Sequence, residues 1–120
     1  MTSNNEIIWA AGFFDGEGSL HIAKKVNHVR IALGQVDPRP LERFQRAVGV
    51  GRVYGPYRSK RWPVQREQWA FRTGKKDEIN HILNLLWPWL DEYTKETIRE
   101  RLATVEHVER RFGKAVVVPT

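Results

Sequence analysis

The stretch from Trp9 to Ser19 constrains the fold of this chain more than any other part of the sequence. It reads Trp-Ala-Ala-Gly-Phe-Phe-Asp-Gly-Glu-Gly-Ser and places small residues at helical spacing, at Ala11, Gly12 and Gly16. Side chains three or four positions apart share one side of a helix, and small ones let a second helix approach its backbone closely. The stretch therefore predicts a closely packed helix that leads into two acidic residues.

The two acids, Asp15 and Glu17, are expected at the end of that helix, because Gly16 and Gly18 are poor helix residues. Carboxylates at a helix C-terminus oppose the macrodipole at a cost of about a few tenths of a kcal/mol. A chain that accepts this cost often uses the carboxylates, although a solvated Asp-Gly-Glu-Gly turn explains the acids equally well. A calcium loop of the EF-hand type is excluded, because the twelfth position counted from Asp15 is Val26.

The same stretch resembles a known motif. Ala10-Ala11-Gly12-Phe13-Phe14-Asp15-Gly16-Glu17-Gly18 is similar to the LAGLIDADG motif of homing endonucleases, and Trp9 and Ser19 are common flanking types. Nine consecutive positions of matching type make the resemblance specific, and the order of the elements extends it over most of the chain. It implies an α+β fold, an αββαββα saddle whose four-stranded antiparallel sheet has helices on one face.

Hydrophobic periodicity predicts the order α-β-β-α-β-β-α-α in one domain, residues 1–120, with a core to about 112 and an unassigned tail beyond it. Apolar and polar side chains alternate along each strand, so each hairpin should bury one face. Pro56 and Pro63 are expected outside the regular pairing. The first half is predicted to contain a helix from about Asn4 to Phe14 capped by Ser3, a hairpin from Ser19 to Gly34 with a turn at Asn27-His28, and a helix from Asp37-Pro38 to Gly49. A second hairpin is predicted to bury Val53, Trp69 and Phe71, and a helix from Gly74 to Pro88 follows it. The last predicted helix runs from about Thr94 to Arg111, buries Ile98, Leu102 and Val105, and stops at Gly113.

The net charge of +6 is concentrated in one part of the chain. Residues 52–76 contain eight basic side chains and one acid, Glu67, a balance of +7 that exceeds the excess of the whole chain. No basic amphipathic helix carries this charge, so DNA or RNA is favoured over a membrane surface as the partner. The alternative is a basic protein that has no polyanion partner.

Composition excludes several other classes. No apolar run approaches the roughly 20 residues of a membrane span, and no secretory leader begins the sequence, so a soluble intracellular protein without a membrane partner is expected. The absence of cysteine excludes disulfides, thiolate catalysis and thiolate zinc sites.

The polar face of the predicted sheet suits a DNA groove. A two-stranded ribbon fits the major groove, where Arg, Lys and Gln read base edges or contact phosphates. The side chains expected to bind DNA are His21, Lys25, Arg30, Arg52, Tyr54, Arg58, Lys60, Arg61, Arg66, Gln68 and Arg72. Residues from Arg58 to Trp62 are expected to form a mobile basic loop.

Asp15 and Glu17 suggest a metal site. Phosphodiester cleavage requires an activated water and charge neutralisation, and divalent metals held by carboxylates provide both. The Gly16 carbonyl could also bind a hard cation, and magnesium accepts few protein ligands because it keeps waters and binds substrate phosphates. The expected cofactor is Mg²⁺ or another divalent cation such as Mn²⁺, without a small-molecule cofactor.

The resemblance implies a symmetric assembly. In the family, motif helices of two half-domains pack side by side, which assigns Ala11, Gly12, Asp15 and Gly16 to a dimer interface. The last acid of each motif binds metal over the DNA minor groove, and Glu17 occupies that position here. One motif in 120 residues implies a homodimer on a palindromic or nearly palindromic double-stranded site, with one strand cut per centre.

The resemblance also implies two supporting catalytic residues. Gln35, at the end of the second strand, matches a polar position near the scissile phosphates. Lys95, after the segment Leu86-Trp87-Pro88-Trp89-Leu90, matches a catalytic lysine, although Thr94 is an alternative occupant of that position.

The expected function is therefore that of a site-specific, metal-dependent double-strand DNA endonuclease, a homing endonuclease that hydrolyses phosphodiesters. Two alternatives with the same fold stay open. One is a cleavage-inactive, sequence-specific DNA-binding regulator, and the other is an intron RNA maturase.

Overall fold

A computed structural model describes residues 2–23, 28–58, 66–105 and 116–119. Within these ranges the helices are α1 (Asn4–Glu17), α2 (Pro38–Val48), α3 (Lys76–Leu86) and α4 (Glu92–Ala103), with a 3-10 turn at Trp87–Trp89 between the last two. The strands are β1 (Gly18–Ala23), β2 (His28–Gln35), β3 (Arg52–Arg58) and β4 (Glu67–Thr73). The predicted element order and the α+β class are confirmed.

The two hairpins join into one antiparallel sheet in the order β1-β2-β4-β3. β2 and β4 are therefore inner strands and β1 and β3 are the edges. The predicted unpaired position of Pro56 is confirmed, because the register between β3 and β4 shifts between Tyr54 and Tyr57. The strand nevertheless continues past this proline to Arg58, so Pro56 interrupts the pairing without ending it. Pro63 and the loop residues from 59 to 62 lie outside the described ranges.

The inner face of the sheet packs against the helices as the alternation predicted. Val53 and Trp69 are partly buried against this core. The Phe44 and Phe71 rings meet edge to face, with centroids 4.9 Å apart, and join α2 to β4. The fully buried side chains of the sheet and helices include Phe14, Leu20, Ile31, Leu33, Leu41, Phe44, Phe71, Ile79, Ile82, Leu83 and Leu86.

Capping residues define the starts of the first two helices. Ser3 accepts a hydrogen bond from the Glu6 amide, and Asp37 accepts one from the Arg39 amide at 2.9 Å. Hydrogen bonds from the Arg39 side chain and amide lower the pKa of Asp37 to about 2. Gly49 ends α2 with a left-handed backbone (φ 76°), as its position after the apolar stripe predicted.

The end of α1 differs from the sequence expectation. The helix runs three residues past Phe14, through Gly16, to Glu17. Glycine inside a helix costs about 1 kcal/mol, and the added turn brings the Asp15 carboxylate within hydrogen-bond distance of the Asp91 amide. Gly18 then adopts an extended backbone and begins β1, so no loop separates the helix from the strand.

The final helix, α4, contacts the edge strand β1, and the C-terminal segment contacts α3. Ile98, Leu102 and Val105 are buried as predicted, while the predicted end at Arg111 and stop at Gly113 lie outside the described ranges. The segment 116–119 packs on the core, because Val116 is buried and the Val117 amide donates to Asn80 Oδ1 at 2.8 Å. In the described parts of the chain no helix has the length and apolar character needed to cross a membrane.

Gly18 and Gly34 provide a matched test of the α1–β1 junction. An added Cβ at Gly18 would lie 2.5 Å from Cδ2 of the buried Phe14, whereas one at Gly34 would meet only the Trp69 carbonyl oxygen, at 3.8 Å. We expect Gly18→Ala to lower the free energy of unfolding by about 1–3 kcal/mol, the usual cost of overpacking, and Gly34→Ala to leave it unchanged or raise it. Urea titration of the two variants measures the difference, and equal stabilities would contradict the close contact at Phe14.

Candidate functional site

The two motif acids have different environments. Glu17 is the exposed last residue of α1, and within the described part of the chain its carboxylate has no hydrogen-bond or ion-pair partner. Asp15 is half-buried, and both of its oxygens accept from the Asp91 amide, at 3.2 and 3.3 Å. Asp91 is the N-cap residue of α4, and its own side chain makes no capping hydrogen bond. Asp15 therefore caps α4 from outside, which leaves Glu17 as the acid available to a ligand.

A second contact anchors α4 on the other side of Glu17. Arg101 Nη1 donates to the Leu20 carbonyl of β1 at 2.6 Å. Between this contact and the Asp15 cap lies a cavity of about 190 Å³ whose polar lining includes Ser19 and Thr94. The backbone that carries Glu17 is thus fixed to α4 both before and after this residue.

The predicted supporting catalytic residues lie in unlike settings. Gln35 is half-buried at the end of β2, opposite Trp69 of β4. The Lys95 ammonium lies 3.6 Å from a Glu92 carboxylate oxygen and 5.7 Å from the centre of the Trp87 ring, with only 15% of the side chain exposed. Thr94, and not Lys95, lines the cavity beside Asp15. Catalytic roles for Gln35 and Lys95 stay predictions.

A single chain supplies few metal ligands at this site. Across residues 2–23, 28–58, 66–105 and 116–119, no three Asp, Glu or His side chains are grouped to hold an ion. Glu17 and the neighbouring Gly16 carbonyl could supply oxygen ligands to a hard cation. A complete coordination sphere then requires water, substrate phosphate or ligands from a second chain.

One exposed face of α1 carries small residues. Gly12 and Gly16 are exposed, and a Cβ at either would have no atom within 4 Å. Ala11, in contrast, is fully buried in the core of this chain, so its predicted place in a dimer interface is not supported by its position. The face includes Ile8 instead, which is 43% exposed, and Ile8, Gly12 and Gly16 have a spacing of four residues. That spacing could have identified Ile8 from the sequence, because positions i, i+4 and i+8 share a helix face.

Most of the predicted DNA contacts that the structure describes lie on the outer face of the sheet. His21 lies opposite Arg30 across β1 and β2, and its Nε2 is 2.8 Å from Ser19 Oγ. Partial burial, followed by the charges of Arg30 and Arg101, lowers the pKa of His21. Of the predicted contacts, His21, Arg30, Arg52, Tyr54, Arg58, Arg66 and Gln68 are exposed and Arg72 is half-buried, whereas Lys25, Lys60 and Arg61 lie outside the described residues.

Arg72 and two tyrosines form a cluster on this face. The Arg72 guanidinium carbon lies 5.3 Å from the centre of the Tyr57 ring and 6.0 Å from that of Tyr54. Tyr57 is 44% exposed and was not among the predicted DNA contacts. The register shift at Pro56 brings it opposite Gln68, and a Gly-Pro pair inside a strand is the sequence signal of such an irregularity.

No protein-family model matches this sequence, and neither does any curated protein. Solved structures do match. The homing endonuclease I-CvuI, in complex with DNA, has a TM-score of 0.57 and 20% identity over 82% of this chain and 63% of that chain. The LAGLIDADG meganuclease I-CpaMI, bound to uncleaved DNA, has a TM-score of 0.61 and 20% identity over 93% of this chain and 40% of that one. The homing endonuclease I-TnaI has a TM-score of 0.61 and 18% identity over 92% and 76%. The likeness at these identities is one of fold, and this chain spans less than two-thirds of I-CvuI and of I-CpaMI.

Asp15 and Asp91 allow a matched test of the external cap. Asp15→Ala should lower the free energy of unfolding by about 1 kcal/mol, the typical cost of losing a helix cap, and speed hydrogen exchange at the Asp91 amide. Asp91→Ala should change stability by less than about 0.5 kcal/mol, because its exposed side chain makes no cap. Equal effects of the two substitutions, measured by urea titration, would contradict the role of Asp15.

Proposed function

We propose that this chain, which has the fold of the LAGLIDADG homing endonucleases, is a site-specific, metal-dependent double-strand DNA endonuclease. The observation that carries the proposal is the position of Glu17. It is an exposed acid at the end of the small-residue face of α1, and the outer face of the sheet, which carries exposed arginines, begins directly after it. An acid suited to a divalent cation thus adjoins a surface suited to a polyanion.

The residues around Glu17 suit hydrolysis of a phosphodiester. A bound Mg²⁺ or Mn²⁺ would activate water and neutralise charge on the phosphoryl group. Glu17 and the Gly16 carbonyl would hold the cation, while Asp15 and Arg101 keep the backbone on either side of Glu17 fixed against α4. Structures of I-CvuI with DNA in the presence of Mg or of Ca support divalent-cation use within this fold.

A second copy of the chain would complete the site. Each copy offers one carboxylate at Glu17, and the face of Ile8, Gly12 and Gly16 permits two helices to approach closely at a symmetry axis. The two Glu17 side chains would then meet at one end of this interface. A symmetric protein of this kind would bind a palindromic or nearly palindromic site, with one strand cleaved at each centre.

The environment of Lys95 favours a second candidate function, a DNA-binding regulator that does not cleave. Its ammonium is engaged with Glu92 and Trp87 and does not line the cavity beside Asp15. A chain without a catalytic lysine could retain the basic face and the dimer while losing nuclease activity. An intron RNA maturase has the same outline, and parallel assays on RNA distinguish it.

The decisive experiment incubates the protein and Mg²⁺ with a randomised double-stranded DNA library and sequences the cut ends. We expect cleavage at a palindromic or nearly palindromic site. Glu17→Gln should reduce cleavage at least about 100-fold, because loss of even an outer partner of a metal costs about 10- to 100-fold. Binding to the selected site should stay nearly unchanged. The isosteric control Glu100→Gln, at an exposed position of α4, should cut normally.

Two outcomes of this experiment oppose the proposal. Site-specific binding without cleavage by the unmodified chain would indicate the regulator, and selective action on RNA would indicate the maturase. Undiminished cutting by Glu17→Gln would remove this residue from the active centre while leaving the nuclease itself in place.

The proposed dimer makes a separate prediction. Gly12→Leu adds a bulky side chain to the exposed face of α1 without a clash inside the chain, because a Cβ at this position meets nothing within 4 Å. Leucine also has a higher helix propensity than glycine, so the monomer should fold at least as well. We expect sedimentation equilibrium to show monomers for Gly12→Leu and dimers for Glu96→Leu, an exposed control on α4. Dimers in both would contradict this interface.

A further inference from the structure

Arg72 occupies a different setting from the arginines at the edge of the sheet. It lies on the inner strand β4, is half-buried, and has its guanidinium near the faces of Tyr54 and Tyr57. Arg52, its cross-strand neighbour, is exposed on the edge strand β3. Arg58 lies on the same edge, with 76% of its side chain exposed. The tyrosines therefore restrict Arg72, while the edge arginines extend into solvent.

On the β2 side of Arg72, the outer face of the sheet carries only small side chains. Its partner on β2 is Ala32, and the next pair that faces outward is Gly34 with Ala70. These residues carry no more than a methyl group, so another surface can approach the backbone closely around the guanidinium. Arg72 thus has two tyrosines and Arg52 on its β3 side and a shallow floor of small residues on its β2 side.

Because the sheet is about as wide as a major groove, its inner and edge strands would contact different parts of the DNA. Four strands span about 14 Å at a spacing of about 4.8 Å, close to the major-groove width of about 12 Å. When such a sheet docks in the groove, its inner strands face base edges and its edge strands face the phosphate backbones. This arrangement places Arg72 over bases and Arg52 near phosphate.

Base recognition by arginine depends on orientation. Guanine presents O6 and N7 as two acceptors in one plane, and a planar guanidinium can donate to both at once. A flexible arginine loses rotamer freedom when it forms this pair, whereas stacking against aromatic rings restricts the side chain before DNA arrives. Tyr54 and Tyr57 are positioned to provide that restriction.

We propose that Arg72 reads a guanine in the major groove by donating to its O6 and N7, with Tyr54 and Tyr57 as positioning residues. The inference rests on the proposed binding of double-stranded DNA but is independent of cleavage. Arg72 lies in one cross-strand row with Ala32 and Ser19, and Ser19 follows Glu17 by two residues. Two strand spacings, about 10 Å, separate Arg72 from Ser19 along this row, so the guanine belongs to the part of each half-site nearest the cut.

The test compares the sequences that the full chain and its variants select from a randomised DNA library by binding alone. The unmodified chain should enrich guanine at one position of each half-site. Arg72→Lys keeps the charge but cannot form the bidentate pair, so preference for guanine there should fall about 5- to 150-fold, with preferences elsewhere retained. The comparison variant Arg52→Gln removes one positive charge on the edge strand. It should weaken binding to all sequences alike and reduce the slope of log affinity against log salt by about one.

Variants at Tyr57 separate positioning from general stability. Tyr57→Phe retains the aromatic face and should retain the guanine preference. Tyr57→Leu should reduce that preference while the melting temperature and the salt slope stay close to those of the unmodified chain. A structural role for Tyr57 would instead lower the melting temperature and leave the base preference unchanged.

The outcomes are distinct. If the unmodified chain selects a site and Arg72→Lys selects the same guanine equally well, the assignment of Arg72 is overturned. A uniform loss of affinity in Arg72→Lys, without a change in base preference, would make Arg72 a phosphate contact and also overturn it. If the unmodified chain selects no DNA sequence at all, the proposed function fails together with this inference.

Discussion

The passage of α1 directly into β1 over the Phe14 ring is the constraint on which the rest of this structure depends. Gly18 has no side chain to meet the ring, so the backbone turns from helix to strand without a loop. This junction keeps Glu17 at the boundary between the exposed face of α1 and the outer face of the sheet. A longer connection would separate the acid from the basic surface, and the two could not contact the same DNA duplex as proposed.

Rigidity at this junction comes from α4, which is distant in sequence. The Asp15 carboxylate satisfies an amide at the start of α4, and Arg101, further along the same helix, binds the Leu20 carbonyl. Both contacts use groups that would otherwise lack partners at a helix start and at an edge strand. The motif therefore divides its two acids, since one stabilises the fold and the other is left available for a ligand.

The sequence was sufficient for those features that depend on local patterns. Alternation in the strands, the Asp37 cap and the glycine stop at Gly49 each follow from neighbouring residues, and the element order is confirmed. The sequence prediction ended α1 too early, because it considered the low helix propensity of Gly16 and not the contact of Asp15 with the distant Asp91 amide. Burial of Ala11 and the cap at Asp91 depend on which elements meet in space, and local spacing carries little information about that.

On the outer face of the sheet, too, the sequence does not show which residues are neighbours in space. Counting charges in residues 52–76 predicted a surface for a polyanion but treated its arginines as equivalent. Strand order separates them, because the partner of β4 on one side is β2 and on the other is the edge strand β3. An irregular register then brings Tyr57 beside Arg72, so an interruption in strand pairing has created an aromatic contact that regular pairing would not provide. The proposed reading of a base by Arg72, as distinct from general affinity for a polyanion, thus depends on a strand order that charge composition does not reveal.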